Sequence, residues 1–595
     1  MEKVTVAQAI AKLLKKIGTE RYYLYNGHSN WGMLDALEYD VHIQGIRTRH
    51  ECHAIHMADG EWRVRRKLPI PVTCTTTGPG NYNTVAAISE AYFDSSAILC
   101  IMCGGPTKWY ERGGIQENYR RGPEQFIKIM EPITKKAVHV IRPDTAIQQF
   151  MMCYKTAFTG RPGPVVYYIP MDVLNTKIEI EIPDLEAWIN VMPPAPSPEG
   201  LKRAAELIEK AKRPYCFVST GVNNARAWEE LQEFAEKLQI PVGCSIGAKG
   251  ALPEDHLMSV GVCDRAGTGQ AVYAAVNSDL LIGIGTHFND LNTAGWSFYD
   301  IPNKQKLIHI DIDDTELCRV YPTEVAIVAD AKLGLRGLID TWSKSGYKRQ
   351  GVAEWMKEIN DEKVRWEKEE KMPLANSNLA PLHYARIVSD ASEVINAFDP
   401  QTTMLFDTGN VMNFMSAFLK LNHHFFETCN QQFGQMGFAA PASIGAKLGR
   451  PDHPVVAFSG DQSFVMTGLC MATATEYGLK GLVLVVLNNK TIQCEIEGAK
   501  AKFGRTVGDC YRIEETKEFW NPDFELMGKA MKMEVFKVSK PGEFKPAMKA
   551  ALESGKLCLI DVDTDNTQLR YSVPLIKKLG TMPFPYTWTE GANIV

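Results

Sequence analysis

Asp461 follows a glycine at the end of an apolar run, 455–458, and Asn488 and Asn489 close a second apolar run, 482–487. Two strands ending in hard oxygen ligands, with a helix between them, can hold a divalent cation at one sheet edge. Mg2+ favours carboxylate, amide and carbonyl oxygens and shares the rest of its shell with phosphate. Asp461 and Asn489 are the candidate side-chain ligands, with the backbone carbonyl of Thr491 as a third. A strand end with a helix cap is the bland alternative, and the paired Asn at this spacing argues against it. Asp407-Thr408-Gly409-Asn410, after the short strand 404–406, offers backbone N–H groups and small polar side chains suited to phosphate oxygens.

Four loops near the N-terminus also carry chemistry. Asn26-Gly27-His28-Ser29-Asn30 follows the strand-like stretch 22–25, where a tight turn aims His28 at a sheet-edge cleft and an imidazole can move protons. Arg49-His50-Glu51 opens a helix through Ala54, Met57 and Ala58, and the helix dipole alone would favour a carboxylate there. Thr75-Thr76-Thr77-Gly78-Pro79-Gly80-Asn81 is a turn ahead of a helix over 84–92, and Gly114-Ile115-Gln116-Glu117 presents an amide and a carboxylate.

Gly460-Asp461, a spacer of about this length and then Asn488-Asn489 resemble the metal–diphosphate signature of thiamine diphosphate (ThDP) enzymes. Within that superfamily, Phe433-Gly434-Gln435-Met436-Gly437 through Ala446 is close to the acetolactate synthases. The resemblance covers nearly the whole chain in family order and implies ThDP and Mg2+ as cofactors. It implies that Glu51, in an apolar pocket, protonates the aminopyrimidine ring, with Thr77 and Gly80 in the loop beside it. The Gly434 carbonyl accepts from the 4′-amino group, Met436 is the wedge that bends the cofactor, and Gln116 lies near the reacting carbon. Thr408, Gly409, Asn410, Gly460, Gln462 and Ser463 line the diphosphate, and Asp461, Asn489 and Thr491 hold the metal. The implied activity is a lyase or carboligase on a small 2-oxo acid, with Glu51, His28 and Gln116 as its catalytic groups. One site would take Glu51 from one chain and Gly434, Met436 and Asp461 from another, so a homodimer is the minimum and a homotetramer is expected.

Three departures stand out. Gln462 replaces the glycine common after the Asp. His28-Ser29 replaces a small apolar Gly-Ala pair and resembles ThDP hydrolases that open cyclic diones, in which His activates water. Gly285-Thr286-His287-Phe288-Asn289-Asp290 lacks the Arg of the family's flavin-contacting loop, which puts FAD in doubt and leaves His287 as a loop residue. A dione hydrolase is therefore the second reading, and a non-catalytic binding or regulatory subunit of the same fold is the third.

The elements that must position these residues follow from pattern and length. A chain of 595 residues exceeds one core. Short apolar strands alternating with helical stretches predict α/β architecture with parallel sheets. Three doubly wound domains are expected: 1–180 for the pyrimidine, 198–345 in the centre after the proline-rich 192–198, and 375–565 for the diphosphate. A highly charged helix over 352–372 with one packed stripe joins the last two, and the tail 566–595 follows, rich in Pro, Tyr and Trp. The net charge of −5 gives no reason to expect nucleic acid. No apolar run is long enough to span a bilayer, and the first 18 residues read as an amphipathic helix. Fourteen Cys scattered through apolar segments predict a reducing cytoplasm and buried thiols.

Overall fold

Strands such as Leu99–Gly104 and Leu482–Asn488 are buried at every position and apolar up to the last residue, which requires a sheet covered by helices on both faces. A computed structural model describes residues 1–116, 122, 124–424, 426–428, 433–508, 511–567 and 571–574. Two compact units form: 1–192 with 432–455 and 466–482, and 193–431 with 456–465 and 483–595.

The first unit carries a sheet of the strands Arg21–Leu24, Gln44–Arg47, Val72–Thr75, Leu99–Gly104, Lys136–His139 and Val165–Pro170. They lie in the order second, first, third, fourth, sixth, fifth, and every pairing is parallel. The second unit carries two sheets. Pro214–Val218, Val242–Cys244, Ser259–Val262, Leu280–Ile284, Lys306–Asp311 and Val325–Val328 are parallel throughout, in the order third, second, first, fourth, fifth, sixth. Thr403–Phe406, Phe426–Thr428, Val455–Gly460, Leu482–Asn488, Glu534–Val538 and Leu557–Asp563 repeat the strand order of the first sheet. The expected α/β fold with duplicated outer halves is what the chain adopts. In such sheets ligands collect beyond strand C-termini where the order reverses. In the two outer sheets that point lies between the first and third strands, beyond Leu24 and Thr75 in one and beyond Phe406 and Gly460 in the other.

The N-terminus corrects the sequence reading. Glu2–Thr5 is a strand paired antiparallel with Lys177–Ile180, and the helix is only Val6–Lys16. Thr5 sets the boundary: its hydroxyl accepts from Gln8 N while the Gln8 side chain accepts from Thr5 N, a capping box. The charged helix Val352–Trp366 buries Trp355, Ile359 and Trp366 as expected, whereas Val364 faces outward. None of the described cysteines forms a disulfide, and most are buried. No helix among the described residues is long and apolar enough to cross a membrane. The Glu117 end of its loop and the tail from 575 onward lie outside the described residues.

The helix Glu51–Arg65 is buried on nearly every side. A Cβ on Gly60 would collide with the Ala442 carbonyl, and one on Gly445 with that of Met57, so the helix Ala439–Gly449 lies backbone to backbone on it. Its charges are internally paired: Arg63 with Asp59 and Asp94, and Glu61 with Arg21 and Arg65. His56 is enclosed with neither ring nitrogen partnered, and burial, together with repulsion from Arg63, holds it down to about 4 against the pull of Asp59. An unfolded His takes up its proton near pH ~6.5. The unfolded chain thus binds a proton that the folded chain refuses, so this contribution is complete above about pH 6.5 and is lost as pH falls toward 4. His56→Leu is expected to flatten the acid limb of apparent Tm against pH, by the equivalent of about 3 kcal/mol at most. Parallel limbs for variant and wild type would contradict a buried neutral His56.

Candidate cofactor and metal site

In the first unit the loops beyond Leu24 and Thr75 are tied together by Ser29. Its hydroxyl donates to the Cys103 carbonyl at 3.0 Å, lies 2.9 Å from Thr76 Oγ1, and accepts from Thr77 N at 2.9 Å. A Cβ on Gly27 would strike the Thr76 side chain, so the bare Gly27 backbone lies directly against that side chain. The Ser that departs from the small apolar residue of the resembled family therefore cross-links three strand ends. Beside it His28 is half-buried, and its Nε2 is enclosed without a partner.

Glu51 is the first residue of its helix, behind His50, whose Nδ1 accepts from Cys52 N. Its side chain is buried, and Oε2 accepts from Asn83 Nδ2 at 3.0 Å. A Cβ on Gly80 would clash with Thr76 Cγ2 and crowd Oε1 at 3.3 Å, so the glycine keeps the loop clear of that carboxylate oxygen. Gly78, at φ +64°, packs on the backbone and Cβ of Gln116, which itself holds φ +60° with its side chain exposed. Thr77 is buried in the same loop. The sequence-predicted Glu51, Thr77, Gly80, His28 and Gln116 are thus brought to one sheet end. Met436 is half-buried between two tight turns, Gly434 at φ +68° and Gly437 at φ +86°. That segment is pinned by Gln435 N donating to Glu90 Oε2, by Thr467 Oγ1 donating to the Gly437 carbonyl, and by Phe433 stacked on Phe93.

In the second unit Asp461 begins the helix Asp461–Thr467 directly beyond Gly460. Its carboxylate is buried and accepts from Gln462 N at 2.8 Å, Lys490 N at 2.5 Å and Asn521 Nδ2 at 2.8 Å. Burial pushes this carboxyl up to about 6, with those hydrogen bonds pulling the other way. Lys490 reaches Asp461 at φ +59°, a left-handed conformation that non-glycine residues rarely hold. Asn489 Oδ1 accepts from the backbone and hydroxyl of Thr491, and its Nδ2 donates to Tyr384 Oη. Asp407 N donates to Phe458 O and its carboxylate accepts from Ser459 Oγ, which locks the two strand ends that flank the reversal.

The donor set fits a hard cation beside a diphosphate. Asp461, Asn489 and Thr491 offer oxygens only, and no cluster of three or more His, Cys, Asp or Glu competes with them among the described residues. A Cβ on Gly460 would meet nothing nearer than Ser463 Oγ at 4.0 Å, leaving room beside the helix start. Gly409 holds φ +90° ahead of the helix Asn410–Phe418, and Asn410 Nδ2 is buried with no partner, a donor turned toward an absent acceptor. Thr408 is half-buried and Ser463 buried at the same two helix starts.

Gln462 Nε2 donates to Asn521 Oδ1, while Asn521 Nδ2 reaches Asp461 and Asn488. Sequence reasoning missed Asn521, which lies 60 residues beyond Asp461 with no local motif to mark it. Asn521→Ala is expected to weaken Mg2+ and ThDP binding by roughly 10- to 100-fold, as loss of an outer partner of a metal ligand does. Unchanged titrations of both would show that Asn521 does not orient Asp461.

In the central sheet the loop beyond Ile284 is held by its neighbours. His287 Nδ1 lies 3.0 Å from Glu316 Oε1, and Arg319 donates to the His287 carbonyl and pairs with Glu316. Burial alone would raise Glu316, but His287 and Arg319 bring it down to about 2. The Glu316–Arg319 ion pair thus lies against His287 in this loop.

Comparison with known proteins identifies the family. Residues 4–122 match the thiamine pyrophosphate enzyme N-terminal TPP binding domain, 201–338 the central domain and 407–562 the C-terminal TPP binding domain. The chain belongs to the thiamine pyrophosphate enzymes and is an acetolactate synthase-like, ThDP-dependent member of them. A probable acetolactate synthase large subunit of Methanocaldococcus jannaschii is 31% identical over 575 residues, covering 96% of this chain and 93% of that protein. The acetolactate synthase large subunit of Corynebacterium glutamicum is 30% identical over 560 residues, 93% of this chain and 85% of its own length. The isozyme 1 large subunit of Escherichia coli is 33% identical over 491 residues, 82% and 83% of the two chains. The reading as a non-catalytic subunit is set aside.

Proposed function

We propose that this enzyme joins two small 2-oxo acids with loss of CO2, using ThDP and Mg2+. Bound ThDP supplies a nucleophilic carbon and a sink for the electron pair released with CO2. The observation that carries the reading is Glu51, enclosed at its helix start with one oxygen on Asn83 and the other against Gly80. That carboxyl holds and returns a proton on Oε1, the oxygen left clear by the glycine loop. Asp461, Asn489 and the Thr491 carbonyl hold the cation, and the turns at Gly434 and Gly437 present Met436 to bend the cofactor. Joining two 2-oxo acids is redox-neutral, so the reaction asks nothing of a flavin in the central domain. We read the three domains as 1–180, 198–345 and 375–565, the location as cytoplasmic, and the assembly as a homodimer at least, with a homotetramer expected.

His28 is the group most apt to manage protons at the substrate, because its Nε2 is enclosed and unpartnered. The same observation favours one second reading, hydrolytic opening of a small dione with His28 activating water. A mass-resolved product screen with holoenzyme, pyruvate and a panel of aldehydes, 2-oxo acids and cyclic diones separates the two. Coupled products with CO2 support the carboligase, and ring-opened product without CO2 supports the hydrolase. His28→Ala is expected to shift the ratio of coupled to uncoupled products or slow turnover by about 10- to 100-fold, with ThDP affinity unchanged. Wild-type kinetics and products in that variant would reduce His28 to a loop residue.

A further inference from the structure

We propose that Cys494 is a positioning residue for the cofactor: its thiol fixes the Asn410 amide so that Nδ2 faces the diphosphate cradle. The inference rests on the reading above that residues 407–410 receive the diphosphate. Asn410 is 6% exposed, its Oδ1 accepts from Cys494 Sγ at 3.0 Å, and its Nδ2 is buried without a partner. An amide side chain can turn over and exchange its oxygen for its nitrogen, and the hydrogen-bond partners decide which way it rests. The thiol proton favours Oδ1, because sulfur is only a weak acceptor for the NH2 group that a flipped amide would present. Nδ2 is thereby held on the side away from the sulfur, where a buried amide donor is costly until an acceptor arrives. A diphosphate oxygen is such an acceptor, and a helix start behind Gly409 is where an anion is favoured.

The thiol also lies beside the same turn. A Cβ on Gly409 would find Cys494 Sγ as its nearest neighbour, at 3.7 Å, so the sulfur sits about a methyl group's width from the residue whose φ of +90° aims the helix start. Cys494 is the second residue of the helix Gln493–Phe503, which follows Asn489 and Thr491 directly. One side chain therefore couples the chain segment that holds the cation to the cradle that holds the phosphates. No covalent step is involved, and the thiol acts through Asn410.

The test is a double-mutant cycle read by ThDP affinity, measured by calorimetry with saturating Mg2+, and by competition from inorganic pyrophosphate. Cys494→Ala is expected to raise the Kd for ThDP about tenfold, and Asn410→Ala by a similar factor. The double variant should bind no more weakly than Asn410→Ala alone, because the two losses are one contact. Cys494→Ser keeps a donor and should stay within about threefold of the wild-type Kd. Additive losses, or a serine variant as weak as the alanine one, would overturn the positioning role. A weakened Asn410→Ala beside an unaffected Cys494→Ala would also overturn it and leave the cradle reading intact. Wild-type protein that fails to bind ThDP at all would remove the reading on which the inference stands.

Discussion

Glu51→Gln is expected to bind ThDP within about threefold of wild type and to lose turnover by about 10²- to 10⁴-fold, the usual span for removing a positioned proton donor. Glutamine has the same shape, and its carbonyl can still accept from Asn83 Nδ2, the bond that orients the side chain at 3.0 Å. The helix therefore keeps its start and the pocket keeps its packing. What the amide lacks is an exchangeable acidic proton on the oxygen beside Gly80. The split between an intact Kd and a collapsed kcat is the signature of a group used in the reaction rather than in folding. Steady-state kinetics paired with a ThDP titration checks it, and a fully active variant would remove Glu51 from the mechanism.

Asp461→Ala is expected to weaken Mg2+ and ThDP together, on the order of 100-fold or more, beyond what an outer partner costs. The carboxylate is the one formal negative charge in the proposed ligand set and is held by Gln462 N, Lys490 N and Asn521 Nδ2. In the free protein burial pushes it up to about 6, and a bound cation draws it back to the charged form. Alanine leaves three donors without their acceptor and removes the charge at once. The rise in melting temperature that ThDP and Mg2+ give wild type should vanish in the variant, because stabilisation by a ligand follows the ratio of its concentration to its Kd. A variant that keeps wild-type affinity for both would contradict the metal assignment.

Much of this was legible in the chain because the relevant signals are local. Short fully apolar strands between helical stretches announce covered parallel sheets, and chemistry-bearing residues fall just past them. Glu51, His28, Thr77 and Gly80 gather at one strand-order reversal, and Asp461, Gly409 and Asn410 at another, as strand-end loops must. The same logic misled at the N-terminus, where Val4 and Thr5 continue a helical pattern in sequence but pair with Lys177–Ile180 across the chain. Long-range partners leave no periodic trace. Asn521 meets Asp461 and Gln462, Tyr384 meets Asn489, and Cys494 meets Asn410 only after folding. The buried His56 was equally unreadable, since a histidine's enclosure depends on what packs over it, here Phe438. Ser29 looked like a departure from a resembled pattern and proved to be the knot of three loops.

The most direct test of the central claim is the stoichiometry of product and CO2 from carbon-labelled pyruvate, followed by NMR with ThDP and Mg2+ present and with each withheld. The account predicts one CO2 for each condensed five-carbon hydroxy-oxo acid, with formation of both abolished when ThDP or Mg2+ is left out. Condensed product formed without ThDP, or pyruvate left untouched by the holoenzyme while a cyclic dione opens without CO2, would contradict it.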